Sequence, residues 1–267
     1  MWARICRRFG NRNSRSRAAV TSTEQPVSRR FLASHAGSTM TTRAEWIRTT
    51  FVVLSGTCCT VLLCKWLTDE AEDVDYGDVQ YWLSRYQDSW YQQPYDWLGS
   101  FISLKPWIQP AAGKGRVVHL GCGTSRLAEE MFDSGDFGEI WNVDVSEVCL
   151  EVMRQRNEQL RPQLRWVKAD LRDMSSGSDS AHRFEDSFFD CAIDKSTLDS
   201  ICDCGRDADA DKYIAEVARV LKPSGVLLVF SFSPPHARMR HLRSKFNCEV
   251  EVAEGNCFVY TCRRLSQ

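Results

Sequence analysis

A short apolar run, Arg116-Val117-Val118-His119-Leu120, ends in Gly121-Cys122-Gly123-Thr124-Ser125 and is followed by Leu127, Met131 and Phe132 at helical spacing. A strand that runs into Gly-x-Gly and then a helix makes a nucleotide site, because glycine lets a ligand approach the backbone and the helix start presents free N–H donors. The next strand-like run, Glu139–Asp144, closes on Asp144, 21 residues after Gly123. A carboxylate there can accept from both hydroxyls of a ribose. Asp170 closes a third run, Leu164–Asp170, where it is placed to accept from an exocyclic adenine amine. A single acid at a strand end is ordinarily a helix cap or a solvated group. Glycine or acid features at three successive strand ends point to a ligand lying outside the carboxyl edge of a sheet.

The elements that must position these residues follow from the hydrophobic pattern. Strand-like runs alternate with helical ones, the signature of βαβ connections and a mainly parallel α/β sheet. After the third strand comes a Ser/Gly/Asp-rich loop at 175–183, then a fourth strand, Phe188–Asp194. Ile214, Val217, Ala218 and Leu221 fall at i, i+3, i+4 and i+7 and predict a helix leading to a Pro223-Ser224-Gly225 turn. Gly225–Phe232 is the most hydrophobic strand and is expected at the centre. Cys248–Val252 and Cys257–Thr261 lie close enough for an antiparallel hairpin at the sheet edge.

Two cofactor classes compete for the glycine turn. A nicotinamide or flavin dinucleotide wants Gly-x-Gly-x-x-Gly, but the third glycine position holds Arg126, which would crowd the pyrophosphate path. S-adenosylmethionine carries no phosphate and does not need that glycine. The stretch Val118–Ser125 resembles motif I of class I S-adenosylmethionine-dependent methyltransferases. Tyr81-Trp82-Leu83-Ser84-Arg85-Tyr86 with Tyr95-Asp96-Trp97 is similar to the amino-terminal signature of the methyltransferase-like family that includes lysine methyltransferases of translation elongation factor 1-alpha, and Asp194-Lys195-Ser196-Thr197-Leu198-Asp199 resembles that family's EKGTLD segment. The citrate synthase lysine methyltransferase of mitochondria shares the Gly-Cys-Gly-Thr-Ser and Asp-Lys-x-Thr features. The resemblance covers residues 76–262 and implies a Rossmann-like, doubly wound, mainly parallel seven-stranded sheet with an antiparallel C-terminal hairpin.

By motif position it implies cofactor contacts from Trp82, Tyr86 and Trp97 in an amino-terminal lid, from Gly121 and Gly123 in motif I, from Asp144 and Val145 at the ribose, from Asp170 and Leu171 at the adenine, and from Lys195 beside the methionine end. Aromatic faces can enclose a sulfonium cation and a lid excludes water; by spacing alone, Trp82, Tyr86 and Trp97 read better as a helix face packed on the sheet. Where the family has glycine after the lysine, this chain has Ser196, a residue less suited to positive φ. The expected activity is methyl transfer to a protein lysine without a metal, with Asp194, Lys195 and Asp199 positioning the substrate. Asp203, Asp207, Asp209 and Asp211 join Asp194 and Asp199 either as an acidic mouth for the cation or as a solvated loop. The alternatives are a methyltransferase for a lipid-like or quinone substrate at a membrane, and a non-catalytic S-adenosylmethionine-binding assembly factor.

Charge is unevenly spread along the 267 residues. Residues 1–48 hold ten Arg, two Glu and no Lys or Asp, a charge of +8 that leaves −9 on the remaining 219. The acidic majority is a poor surface for nucleic acid, and a monomer is expected. The Arg- and Ser-rich leader reads as a mitochondrial transit peptide or a disordered basic tail. Residues 49–67 carry a 16-residue uncharged stretch flanked by Trp46 and Trp66, a candidate membrane anchor or an apolar helix packed on the domain. An acidic linker, 68–75, precedes a methyltransferase domain at 76–267. A start at Met40 would remove eight of the Arg residues and favour the endoplasmic reticulum, another membrane, or the cytoplasm. The 12 cysteines sit in apolar runs and read as packed thiols in a reducing compartment, and Cys202-x-Cys204 has no second pair at metal spacing.

Overall fold

Strands with apolar residues on both faces must be covered on both sides, and the central strands of this chain are of that kind. In a computed structural model of the protein, the described residues are 74–175, 183–253, 255 and 257–265. The leader at 1–48, the candidate anchor at 49–67, linker residues 68–73 and the interior of the 175–183 loop lie outside them. Among the described residues, no helix is long and apolar enough to cross a membrane. The strands are β1 (Val117–Leu120), β2 (Ile140–Asp144), β3 (Arg165–Lys168), β4 (Phe189–Lys195), β5 (Leu221–Ser231), β6 (Phe246–Ala253) and β7 (Cys257–Arg264). They form one sheet in the order β3-β2-β1-β4-β5-β7-β6, parallel up to β5, with β7 antiparallel to both β5 and β6. This is the seven-stranded, Rossmann-like arrangement expected from the sequence.

The helices are α1 (Val79–Arg85), α2 (Phe101–Ala112), α3 (Leu127–Asp133), α4 (Glu147–Asn157), α5 (Thr197–Ile201), α6 (Asp207–Val220) and α7 (Pro235–Leu242). One face of the sheet packs Val118, Leu120, Ala192 and Leu227 against Tyr213, Ile214 and Val217 of α6. The opposite face packs Val117, Cys191, Ile193 and Leu228 against Phe101, Leu104 and Ile108 of α2 and Leu127 and Met131 of α3. Burying each such side chain is worth roughly 1.5–3 kcal/mol, so the two layers fix the strand ends where the polar residues lie.

Several elements differ from the sequence reading. α2 was not anticipated, because Pro106 and Pro110 interrupt it; both lie on its exposed side, while Phe101, Leu104, Ile108 and Ala112 form the buried stripe. The turn at Pro223-Ser224-Gly225 is a register shift inside β5: Phe189 pairs with Leu221, and Cys191 pairs next with Val226. Trp97 lies outside α1, so the three lid aromatics do not share one helix face. Cys248 and Cys262, directly opposed in the β6–β7 pair, are joined by a disulfide, a departure from the reading of every cysteine as a packed thiol. Antiparallel pairing brings their Cβ atoms within bonding reach.

β4 passes into α5 through Ser196, which takes φ +71° and ψ 11° in the left-handed region. That conformation costs a side-chain-bearing residue about 1–2 kcal/mol, opposed here by a 3.3 Å bond from Ser196 Oγ to Asp199. Ser196→Gly is expected to relieve the strain and raise the melting temperature by about 2 °C, for a net gain of about 0.5–1 kcal/mol. A thermal melt followed by circular dichroism checks this, and a lower midpoint would show that the hydroxyl bond outweighs the strain.

Candidate active site

The sheet order reverses direction between β1 and β4, and in open α/β sheets ligands bind outside the strand ends at such a point. On the β1 side the chain turns sharply. Gly121 has φ +65° and Gly123 φ +50°. A Cβ on Gly121 would lie 2.3 Å from Thr197 Oγ1, which donates to the Leu120 carbonyl; one on Gly123 would lie 2.9 Å from the Tyr86 hydroxyl. Thus the glycines answer two neighbours, the EKGTLD-like segment and the lid, as well as any ligand.

Asp144 ends β2 beside this turn. Its oxygens accept from the Gly123 and Ser146 N–H groups at 2.9 and 3.0 Å. Burial pushes its pKa up, while the Ser146, Gly123 and Val145 N–H groups pull it down; burial prevails. Val145 follows it, half-buried, at the start of the turn into α4. Asp170, two residues past β3, is gripped by the Arg172 guanidinium at 2.6–3.2 Å, and Arg172 reaches on to Asp209 at 3.0 Å. The carboxylate expected to receive an adenine amine therefore already has a cation on both oxygens. Leu171 beside it is buried in the core face that includes Val143 and Val167.

The lid packs on α4. Tyr86 is buried with Cys149 and Met153, and Trp82 stacks on it at 6.3 Å while its indole N–H donates 2.8 Å to the Tyr76 carbonyl. Burial lifts the Tyr86 hydroxyl well above its ordinary pKa, and Asp144 adds to the effect. Trp97 is half-buried and meets Tyr95 edge to face at 5.0 Å. Between those two aromatics, Asp96 accepts from Lys195 Nζ at 2.6 Å, from Ser125 Oγ and from the Arg126 N–H at 3.3 Å. Sequence reasoning quoted Asp96 only as the middle of a motif; an acid in an otherwise aromatic segment was the available signal. It also passed over Glu129, whose buried carboxylate accepts from Arg156 Nε and, at 3.1 Å, from Asn157, while Arg156 donates 3.1 Å to the Thr124 carbonyl.

The three positions expected to handle the substrate part company. Lys195, at the end of β4, is nearly inaccessible, and burial pulls its ammonium below its ordinary pKa against the attraction of Asp96. Asp194 points the other way: it accepts from Tyr213 Oη at 2.7 Å and from the Thr197 and Leu198 N–H groups at 2.8 and 3.0 Å, so it caps α5. Asp199 is also buried, holding Arg238 Nε and the Phe232 N–H at 2.8 Å each, together with the Ser231 hydroxyl. Both are therefore held inside the fold. The outer acids are paired too. Asp203 accepts from the Tyr76 N–H, Asp207 from Arg240, Asp209 from Arg172, and Asp211 lies 2.8 Å from His241 Nδ1. Asp75, Asp203 and Cys204 are close enough to hold a metal ion, but Asp75 is forked by Arg206.

The residues present fit a nucleoside-bearing cofactor. Backbone at positive φ, a carboxylate at the end of β2 and a buried ammonium at the end of β4 stand beside the strand-order reversal, and the buried Nδ1 of His119 on β1 has no hydrogen-bond partner. Burial, with Lys195 nearby, holds that imidazole neutral, its pKa down at about 3.

Two outcomes test this geometry. Gly121→Ala meets three atoms of Thr197 as well as left-handed strain and is expected to cost about 2–4 kcal/mol, against about 1–2 for Gly123→Ala, which meets one movable hydroxyl; urea unfolding checks the order. Burial pushes Asp194 up to about 7, whereas the unfolded chain titrates it near 4. Between those values the native state holds a proton that the unfolded state has lost, so stability falls as pH rises through the window. The urea midpoint of the wild type is expected to drop more from pH 5 to 7.5 than that of Asp194→Asn, and equal drops would exclude the assignment.

A family model for a methyltransferase domain matches residues 118–229. The mouse EEF1A lysine methyltransferase 4 is 34% identical over 182 residues, covering 64% of this chain and 67% of its own length. The human eEF1A lysine and N-terminal methyltransferase is 31% identical over 169 residues, 61% of this chain but only 22% of that longer protein. Among solved structures, the PH0226 protein of Pyrococcus horikoshii OT3 shares the fold, with a TM-score of 0.50 at 18% identity over 62% of this chain and 89% of that one. With the mouse relative matched at 34% identity over two thirds of its length, on a fold of this topology, the chain belongs to the class I S-adenosylmethionine-dependent methyltransferases and resembles the elongation factor 1A lysine methyltransferases.

Proposed function

We propose that this protein methylates a lysine side chain of a protein substrate. The observation that carries the reading is the 34% identity to a relative named as a lysine methyltransferase, spread over 182 residues. S-adenosylmethionine, when bound, supplies a methyl group made electrophilic by the sulfonium. Methyl transfer is an in-line displacement, so what the protein contributes is orientation and the exclusion of water. In this reading Gly121 and Gly123 bring the backbone against the cofactor, Asp144 holds its ribose, and Lys195 lies at the amino-acid end. Trp82, Tyr86 and Trp97 shield the sulfonium side from water. The cofactor would supply its methyl group to the substrate's neutral ε-amine, leaving as S-adenosylhomocysteine while the amine's proton passes to solvent. Asp194 and Asp199 serve by holding α5 and the loop after β5 in register, through Thr197, Leu198, Ser231, Phe232 and Arg238.

The test is to incubate the full chain with methyl-labelled S-adenosylmethionine and extract from cells lacking the protein, beside an Asp144→Ala control. A labelled protein band that the control lacks, with the label on lysine after digestion, is the expected result. Cofactor binding without any labelled protein would overturn the protein-lysine reading and turn the search to small-molecule acceptors.

A further inference from the structure

Lys195 ends β4 on the border of the crevice, and only 4% of it is exposed. An ammonium buried that far is costly unless a carboxylate pairs with it. Among the described residues its ion-pair partner is Asp96, at 2.6 Å, a residue 99 positions earlier in the chain. The same carboxylate accepts from Ser125 Oγ and the Arg126 N–H, in the turn that follows β1. Two further bonds fasten the same stretch to that turn: Tyr95 N–H to the Thr124 carbonyl at 3.4 Å, and Thr124 Oγ1 to the Gln93 carbonyl at 2.8 Å. One acid thus ties the lid to both strand ends that frame the crevice. Glu130, which also faces Lys195 electrostatically, is engaged by the Phe101 N–H at 3.0 Å.

We propose that Asp96 is a positioning residue, a latch whose ion pair with Lys195 closes residues 93–97 over the cofactor crevice. It acts through Lys195 and the lid, and the Asp96 side chain, 22% exposed, lies near enough to the surface for the latch to open and admit cofactor. This rests on the cofactor half of the function above and is independent of the methyl acceptor.

The experiment measures binding of S-adenosylhomocysteine by calorimetry and amide hydrogen exchange by mass spectrometry, on the full chain, for wild type, Asp96→Asn, Lys195→Met and the double variant. In the wild type, saturating S-adenosylhomocysteine is expected to slow exchange in a peptide spanning residues 86–98. In Asp96→Asn, affinity is expected to fall at least tenfold, and at saturation the ligand no longer protects that peptide, while a β5 peptide exchanges as in the wild type. The double variant is expected to bind within about twofold of the weaker single variant, as for two residues acting as one unit. Lid protection retained in Asp96→Asn, multiplicative losses in the double variant, or acceleration extending to β5 would each overturn the latch. A wild type that binds no S-adenosylhomocysteine would overturn the latch and the cofactor reading together.

Discussion

A charge taken out of water must find its counter-charge or its hydrogen bonds inside the protein, and the carboxyl edge of this sheet buries four such groups side by side: Asp144, Asp194, Lys195 and Asp199. Each is answered from a different part of the chain. Asp144 is met by the backbone of the glycine turn, Asp194 by the start of α5 and by Tyr213 of α6, Lys195 by the lid, and Asp199 by Arg238 of α7. The apolar layers bring the strands together, but these polar pairings decide where the connecting turns sit, and so what shape the crevice has.

The pairings also explain which residues face a ligand. Side chains alternate across a strand, so Asp194 and Lys195, adjacent in sequence, go to opposite faces. The acid turns into the α6 layer to cap a helix, and the lysine turns towards the lid. The motif that carries the family resemblance is thus split between holding the fold and bordering the site, with Thr197 doing some of each: its hydroxyl bonds the end of β1 and packs where Gly121 has no side chain.

Much of this was legible in the sequence. The strands were, because buried parallel strands leave continuous apolar runs bounded by glycine and acids, and so was the placement of Gly121, Gly123 and Asp144 at or just past the ends of β1 and β2. What stayed hidden depends on which way a side chain turns and on the register between segments. Asp194 caps Thr197 and Leu198 three and four residues on, and Asp170 holds Arg172 two residues on, so the spacing is local while the direction each carboxylate turns is set by the folded strand end. Pro106 and Pro110 masked α2 because exposure, which makes them tolerable, cannot be read before the buried stripe is known. The Cys248–Cys262 bond requires the hairpin register, which the sequence suggests only to within a residue or two.

Residues 93–97 precede every strand in the chain, yet the cation that pairs with Asp96 comes from β4. A ribosome adding roughly 5–20 residues per second needs about 5–20 seconds to pass from Asp96 to Lys195. Through that interval β1, β2 and β3, which are consecutive in both sequence and sheet, have partners to pair with, while Asp96 has only the Ser125 and Arg126 turn. The Asp96–Lys195 pair can therefore form only after the glycine turn and Asp144 are already in the chain, so a nascent chain halted before residue 195 carries both but lacks the cation that Asp96 meets in the finished fold.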